Sequence, residues 1–320
     1  MIKKDIISIV VPCFNEQECL PIFYKELDKI SKEMSDVTFE MMFINDGSKD
    51  NTLEILRDLS KKDKRVRFIS FSRNFGKEAG MYAGLSNVIG DYVAIMDADM
   101  QDPPELIKEM YKTLKEEDYD CVALYTDSHK GYNFIRKGLT KLWYKIIDKL
   151  SPVNQMAGAR DFRLMTRQMV DSIISMPEYN RYTKGMFGFI GFDTKWIEYT
   201  APDRAAGTSK FSLWKLIKYA GEGIVAYSTS PLIMAAYVGL LFCLISFITI
   251  IVIIVKTLIW GDPVTGWPSL ACLIVFIGGI QLFCFGIMGV YLSKIYLEVK
   301  QRPIYISKET EKSGKKNEKK

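Results

Sequence analysis

The stretch IMDADMQDPPE, residues 95–105, sets three aspartates directly behind an apolar run, Tyr92 to Met96. Such a run, bounded by turn residues, reads as a buried strand. Carboxylates clustered at its end repel one another unless a cation receives them. In an extended chain, side chains two apart point the same way, so Asp97 and Asp99 would share a face and Gln101 would add an amide oxygen in the same register. Pro103 and Pro104 stiffen the turn and can begin a helix without wasting an amide donor. Hard cations such as Mg²⁺ or Mn²⁺ take oxygen ligands, usually one or two carboxylates completed by phosphate oxygens. A bare DxD arises often by chance. A DxDxQ closing a strand, facing a second acidic cluster, predicts a metal site at Asp97, Asp99 and Gln101 that bridges a diphosphate.

Working outward, strand and helix patterns alternate. IISIVVP (6–12), FEMMFIN (39–45), VRFISFS (66–72) and DYVAIMD (91–97) read as strands, with helical stretches at about 18–34, from DGSKDNT to Leu59, and across GKEAGMYAGLSNVI. This spacing predicts an α/β domain with a mostly parallel, Rossmann-like sheet. Ligands of such sheets collect at the carboxyl ends of the strands. Those ends carry Pro12-Cys13-Phe14-Asn15-Glu16, Asp46-Gly47-Ser48, Arg73 to Lys77, and the aspartate cluster. Singly, Asp46 or Ser48 reads equally well as a helix cap and Arg73 as a surface charge. Four polar clusters on one edge favour a site. No GxGxxG follows the first strand and no GxxxxGK[ST] occurs, which excludes two common nucleotide grips.

The C-terminal third differs in kind. Leu232 to Val255 and Ser269 to Ser293 contain no charged residue. As a helix the first run is about 36 Å long, enough to cross a hydrocarbon core of about 30 Å. Two such runs around a short Gly/Pro/Trp loop predict a transmembrane hairpin. The loop carries only Lys256, whereas Lys210, Lys215, Lys218, Lys294, Lys300 and Arg302 lie outside it, so the positive-inside rule keeps both flanks in the cytoplasm. The N-terminus is too polar for a secretory signal. Six scattered cysteines without a CxxC pair indicate neither zinc nor a disulfide framework. The net charge of +5 includes the tail KSGKKNEKK, read as disordered, and no basic stripe points to nucleic acid. The expected organisation is a catalytic domain over 1–210, an interfacial amphipathic helix over 211–230, two spans within 231–295, and a basic tail over 296–320. The segment FSLWKLIKYAGEGIVAY (211–227) mixes aromatic and aliphatic residues with Lys215 and Lys218, as a helix in the headgroup region does.

PCFNE, NDGSKDNT, SRNFGKEAG, DADMQDPPE and DFRLMTR, in this order and spacing, resemble the family 2 glycosyltransferases. Within them the chain looks like the polyprenyl-phosphate glycosyltransferases, which include bactoprenol glucosyltransferases and dolichol-phosphate mannose synthases. The resemblance runs from about Ile6 to Arg302. It implies a GT-A fold, a nucleotide-sugar donor, inversion at the anomeric carbon, and a membrane-held polyprenyl phosphate acceptor. Carried over, it places Pro12, Asn15 and Glu16 at the nucleoside, Asp46 and Ser48 at the base and ribose, Lys77 near the nucleotide, and Asp97, Asp99 and Gln101 at metal and diphosphate. Asp161 matches the family's proposed catalytic aspartate and joins Asp99 in the catalytic set; an ion pair with Arg160 or Arg163 is its plain structural reading. Arg136, Arg204 and Lys210 match basic positions for the acceptor phosphate. Where the family has a further arginine after the fourth strand–helix unit this chain reads LYTDSHKGYN, with Lys130 as a substitute and His129 as an exposed loop residue.

The expected reaction transfers a sugar, with UDP-glucose and UDP-N-acetylglucosamine as leading donors, to undecaprenyl phosphate at the cytoplasmic face of the plasma membrane, for cell-envelope glycan modification. A homo-oligomer is compatible with this reading. A processive synthase would want a QxxRW-type motif and more spans. A transporter would want polar lining in its helices. A nucleotide-binding scaffold would lack part of the Asp97, Asp99, Gln101 set.

Overall fold

A computed structural model describes residues 4–126, 156, 158–199, 230–260 and 266–313. They form two compact units, one holding the N-terminal part of the chain to Lys218 together with the residues from Pro303 onward, the other spanning Tyr219 to Arg302.

The first unit is built on a mixed sheet. Its strands are β1 (Ile6–Cys13), β2 (Thr38–Asn45), β3 (Val66–Phe71), β4 (Tyr92–Ile95), β5 (Cys121–Tyr125), β6 (Ala159–Thr166), β7 (Thr194–Glu198) and β8 (Ser307–Thr310). Their order is β7-β5-β6-β4-β1-β2-β3-β8. β1 pairs in parallel with β2 on one side and β4 on the other, and β2 with β3. The expected parallel sheet is thus present at the centre, but β6 runs antiparallel to both β4 and β5, and β8 runs antiparallel to β3. Because the chain leaves β1 to opposite sides, a crevice opens outside the ends of β1 and β4, the switch point at which open α/β sheets bind ligands.

Alternation along β1 explains the layers. Ile7, Ile9 and Val11 face one core, which includes Phe23, Leu27 and Ile30 of α1 (Leu20–Glu33) and Ile107 and Met110 of α4 (Leu106–Glu116). Val10 faces the other, with Ala79, Met81 and Ala83 of α3 (Lys77–Asn87) and Met169, Val170 and Ile173 of α5 (Arg167–Ile174). Burying each large apolar side chain contributes about 1.5–3 kcal/mol. α2 (Thr52–Lys62) and the short α6 (Thr183–Phe189) complete the helices of this unit among the described residues. Helix α3 must lie close on β1, since a Cβ at Gly84 would stand 2.1 Å from Val10 Cγ1.

Two expectations about local structure change. Strand β4 ends at Ile95, not Asp97, and Met100 takes φ 60°. A left-handed residue between Asp99 and Gln101 bends the chain, so the DxDxQ stretch is a turn rather than an extended segment. The C-terminal residues are not a tail from 296. Ser307–Thr310 returns to the sheet edge, where Arg57 Nε and Nη2 donate to the two carboxylate oxygens of Glu309 at 2.8 and 2.6 Å, and Arg67 Nε reaches Glu311 at 3.1 Å. Tyr305 stacks on Phe71 with ring centres 4.9 Å apart. The edge of β3 is thereby covered and charged rather than left open.

The second unit is a helix pair, α7 (Ser230–Trp260) and α8 (Trp267–Val299). Both are long and apolar enough to cross a membrane. Lys256, expected in the connecting loop, lies within α7. The helical ends extend beyond the uncharged runs because a helix stops where its backbone loses partners, not where apolar residues stop.

Candidate active site

The crevice is framed by two loops that knit together. Asn15, at φ 58°, closes β1; its backbone N–H donates to Ser48 Oγ at 3.0 Å, and its side-chain oxygen accepts from Lys49 N at 2.9 Å. Glu16 N donates to Thr52 Oγ1 at 2.9 Å. Asn15, Ser48 and Glu16, all expected at the nucleoside, therefore lie together, with Pro12 at the end of β1 beneath α3. Asp46 is only 4% exposed, and its two oxygens accept from Phe75 N at 2.6 Å and Gly76 N at 2.9 Å. Burial raises its pKa, and these two donors oppose that rise. Asp46 thus anchors the loop that delivers Lys77. Gly47, at φ 66°, permits the approach, because a Cβ there would stand 2.5 Å from the carbonyl carbon of Arg73.

The deciding contact crosses the sheet. In the antiparallel pairing of β4 with β6, Ile95 lies opposite Arg163. Carrying that register two residues onward brings Asp97 opposite Asp161. Lys77, from the first turn of α3, fills the space between them. Its Nζ is 2.7 Å from Asp97 Oδ1 and 2.5 Å from Asp161 Oδ2. Lys184 of α6 stands 3.5 Å from the other oxygen, Asp161 Oδ1. Burial alone would raise the pKa of Asp161, but Lys77 and Lys184 override it and hold the carboxyl well below its usual range. Burial likewise opposes the charge on Lys77, while Asp97 and Asp161 raise its pKa. Its side chain stays 41% exposed, so solvent screens part of this attraction.

Asp161 is therefore paired with Lys77, not with the neighbouring arginines. Arg160 turns to the other side, where its Nε donates to Asp102 Oδ1 and to the Tyr199 hydroxyl, both at 3.0 Å, and its Nη2 to Gln101 Oε1 at 3.2 Å. Tyr199 donates to Asp102, which is 3% exposed. Arg163 lies buried over the Phe187 ring, 3.4 Å from its centre.

Around Asp97 and Asp99 the charge is negative. Glu16 is pushed up to about 7, first by burial and then by the charges of Asp99 and Asp97. Among the described residues no three His, Cys, Asp or Glu groups form a complete metal-binding set. A magnesium- or manganese-type ion takes one or two carboxylates and completes its shell with substrate phosphates and water. Asp97 already holds a cationic head, the Lys77 ammonium, and Asp99 sits on the next turn with Oδ1 accepting from Gln101 N at 3.1 Å. Gln101 differs from expectation, since its amide oxygen accepts from Arg160. Arg136, Arg204, Lys210, Lys130, His129, the segment 211–227 and most of the lysine-rich tail lie outside the described residues.

A sequence model described as glycosyl transferase family 2 matches residues 8–174, the span from β1 through α5 that carries Asp46, Lys77, Asp97 and Asp161. The chain belongs to glycosyl transferase family 2. Relatives in this family extend the likeness through both apolar helices. The Bacillus subtilis (strain 168) glycosyltransferase CsbB is 42% identical over 307 residues, covering 96% of this chain and 92% of that protein. The SfII prophage-derived bactoprenol glucosyl transferase of Shigella flexneri is 40% identical over 308 residues, covering 96% and 99%. The prophage bactoprenol glucosyl transferase homolog of Escherichia coli (strain K12) is 40% identical over 306 residues, with the same coverage. Among solved structures, glucosyl-3-phosphoglycerate synthase from Mycobacterium tuberculosis, in complex with Mn²⁺, uridine diphosphate and phosphoglyceric acid, aligns with a TM-score of 0.48 at 18% identity, over 69% of this chain and 76% of that one. Family membership and the sheet order together make the first unit of this glycosyltransferase a GT-A-like α/β domain.

Lys184, Glu78, Asp102, Arg160 and Tyr199 were not among the expected site residues. Asp102 lies inside the DADMQDPPE stretch and Glu78 inside SRNFGKEAG, while Arg160 is legible in the sequence only as an ion-pair partner for Asp161. Lys184, Arg160 and Tyr199 reach the site from α6, β6 and the end of β7, whose place in the fold no local pattern announces.

Proposed function

We propose that this chain transfers a sugar, with inversion, from a UDP-sugar to undecaprenyl phosphate at the cytoplasmic face of the membrane. UDP-glucose and UDP-N-acetylglucosamine are the favoured donors. The observation that carries the reading is the Asp97–Lys77–Asp161 bridge at the switch-point crevice, in a chain whose second unit is a pair of membrane-length apolar helices. A soluble acceptor would give those helices no purpose, whereas a polyprenyl phosphate keeps its reactive phosphate at the bilayer surface. Relatives named bactoprenol glucosyl transferase, aligned over 96% of this chain, support the same acceptor. The return of Ser307–Thr310 to the catalytic sheet supports an even number of crossings, and the basic Lys294, Lys300 and Arg302 support a cytoplasmic side.

In this reading, the loops at Pro12, Asn15, Glu16, Asp46 and Ser48 receive the nucleoside. Asp97 and Asp99, with Gln101 beside them, would hold a divalent ion, which when bound neutralises charge gathering on the diphosphate. The acceptor phosphate oxygen bonds to the anomeric carbon as the bond to the diphosphate breaks. A phosphate monoester whose second pKa is ~6 is already largely dianionic at neutral pH. Asp161, kept ionised by two ammonium groups, is a weak base, and its work here is to hold Lys77 and Lys184 in place. Arg136, Arg204 and Lys210 supply further positive charge for the acceptor.

The test combines purified protein with labelled UDP-sugars, Mg²⁺ or Mn²⁺, and undecaprenyl phosphate. A chloroform-soluble, acid-labile labelled lipid is expected from one donor, and none from Asp99→Ala. Lys210→Ala is expected mainly to weaken acceptor use. If no donor in a full panel labels the lipid, the reading fails.

A further inference from the structure

Lys77 and Lys184 flank Asp161 on its two different oxygens, and the two lysines have unlike surroundings. Lys77 also binds Asp97, which places it with the donor carboxylates. Lys184 binds none of Asp97, Asp99 or Gln101; among the described residues, besides Asp161 at 3.5 Å, its Nζ meets only the Ala159 carbonyl, at 3.4 Å. Both contacts are long, so its three donors are weakly engaged. The side chain is 33% exposed, enough for a ligand to reach it.

Its position is nonetheless built. Glu78, the residue after Lys77, accepts from both the backbone N–H of Thr183, at 2.9 Å, and the Thr183 hydroxyl. Thr183 is 1% exposed. Two consecutive residues of α3 therefore grip two separate elements: Lys77 holds Asp161 of β6, and Glu78 holds the start of α6, next to Lys184. A loosely bonded ammonium on so firm a mount is what an anion-binding group needs, because its orientation is settled before the ligand arrives.

We propose that Lys184 binds the phosphate monoester of the acceptor, on the side of Asp161 opposite the donor diphosphate. The assignment rests on the transfer reaction proposed above. In an inverting displacement, nucleophile and leaving group approach one carbon from opposite sides, so the two phosphates need separate cations. A carboxylate carrying one ammonium on each oxygen provides two such cations and keeps them apart. Glu78 and Thr183 act as positioning residues for Lys184.

The experiment uses the full-length protein in detergent and farnesyl phosphate, a short prenyl phosphate, measured by titration calorimetry beside UDP with Mn²⁺. Lys184→Met should weaken farnesyl phosphate binding ten- to hundredfold and leave UDP affinity within twofold, while Lys184→Arg recovers most of the loss. Lys184→Gln serves in place of the methionine variant should that one lose its cooperative melt. Equal farnesyl phosphate binding by wild type and Lys184→Met, or no binding by wild type, overturns the proposal. A larger loss for UDP than for farnesyl phosphate also overturns it and assigns Lys184 to the donor diphosphate. Transfer assays separate the two levels. Wild-type product from undecaprenyl phosphate with an unchanged acceptor KM in Lys184→Met sinks the lysine's role alone. Absence of any lipid product from wild type sinks the transfer reading and the role together.

Discussion

The two sides of the candidate active site are built in different ways. The proposed donor side, at the ends of β1, β2 and β4, is held by neighbouring loops whose members bond one another, Asn15 with Ser48 and Lys49, Asp46 with Phe75 and Gly76. The far side is assembled across the sheet, where Asp161 and Lys184 arrive from β6 and α6 and are secured to α3 through Lys77 and Glu78. One side is preorganised by its own backbone, the other by an ion pair that spans 84 residues of chain and a hydrogen bond that spans 105. Changes on the donor side should act on nucleotide and metal, and changes on the far side on acceptor and geometry.

The strongest way to break that contrast is Asp97→Ala. It removes a carboxylate from the donor side and releases Lys77, and turnover should fall on the order of 10³-fold, the scale of losing metal-assisted charge stabilisation. Manganese affinity, read by electron paramagnetic resonance, should fall with it; undiminished affinity would move the ion site away from β4. Arg160→Ala comes next. It strips Asp102 of its cationic partner and frees Gln101, which should cost about 2–3 kcal/mol in urea unfolding and raise the donor KM. A raised acceptor KM alone would place Arg160 on the other side.

Gly47→Ala probes the backbone half of the comparison. At φ 66°, with a Cβ 2.5 Å from the Arg73 carbonyl carbon, the substitution should cost about 1–3 kcal/mol and displace Lys77. A melt identical to wild type would show that the 73–76 loop adjusts freely. The smallest effect concerns pH. In the ion-free protein Glu16 is raised from 4.5 to about 7, mainly by burial and by Asp99 and Asp97. The folded state then holds the proton more tightly than the unfolded one. Stability attributable to this group is intact below about 4.5, declines as pH rises towards 7, and is flat beyond. Relative to Glu16→Gln, wild type should lose about 2–4 °C of Tm over that window. The difference should shrink when Mn²⁺ is added, and parallel melting curves would refute the coupling.

Much of this was legible in the residues because parallel βαβ units announce themselves locally. Apolar runs such as IISIVVP and FEMMFIN, alternating with helical stretches, read as central strands, which puts the loops behind them on one edge. The apolar helices were equally plain, since 24 uncharged residues admit few other readings. What stayed hidden depended on long-range pairing. Nothing in DFRLMTR says that it runs antiparallel beside β4, and nothing in YTKGMF says that its lysine meets an aspartate 23 residues earlier. The bend at Met100 was missed because alternate spacing was read as an extended chain, while the left-handed residue depends on how Asp99 and Gln101 are bonded.

By itself, then, the sequence determined the α/β class, the edge on which the polar clusters gather, the acidic turn and the membrane-length helices, each written in a window of some ten to thirty residues by hydrophobic period and turn chemistry. Tertiary structure decided which cation meets which carboxylate. It inserted β6 against β4, turned Arg160 away to Asp102, set Lys77 and Lys184 on the two oxygens of Asp161, and brought Ser307–Thr310 back to β3. The physical reason is range. Periodicity is a property of neighbours along the chain, whereas charge pairing is selected by whichever partners the closed sheet leaves within a few ångströms.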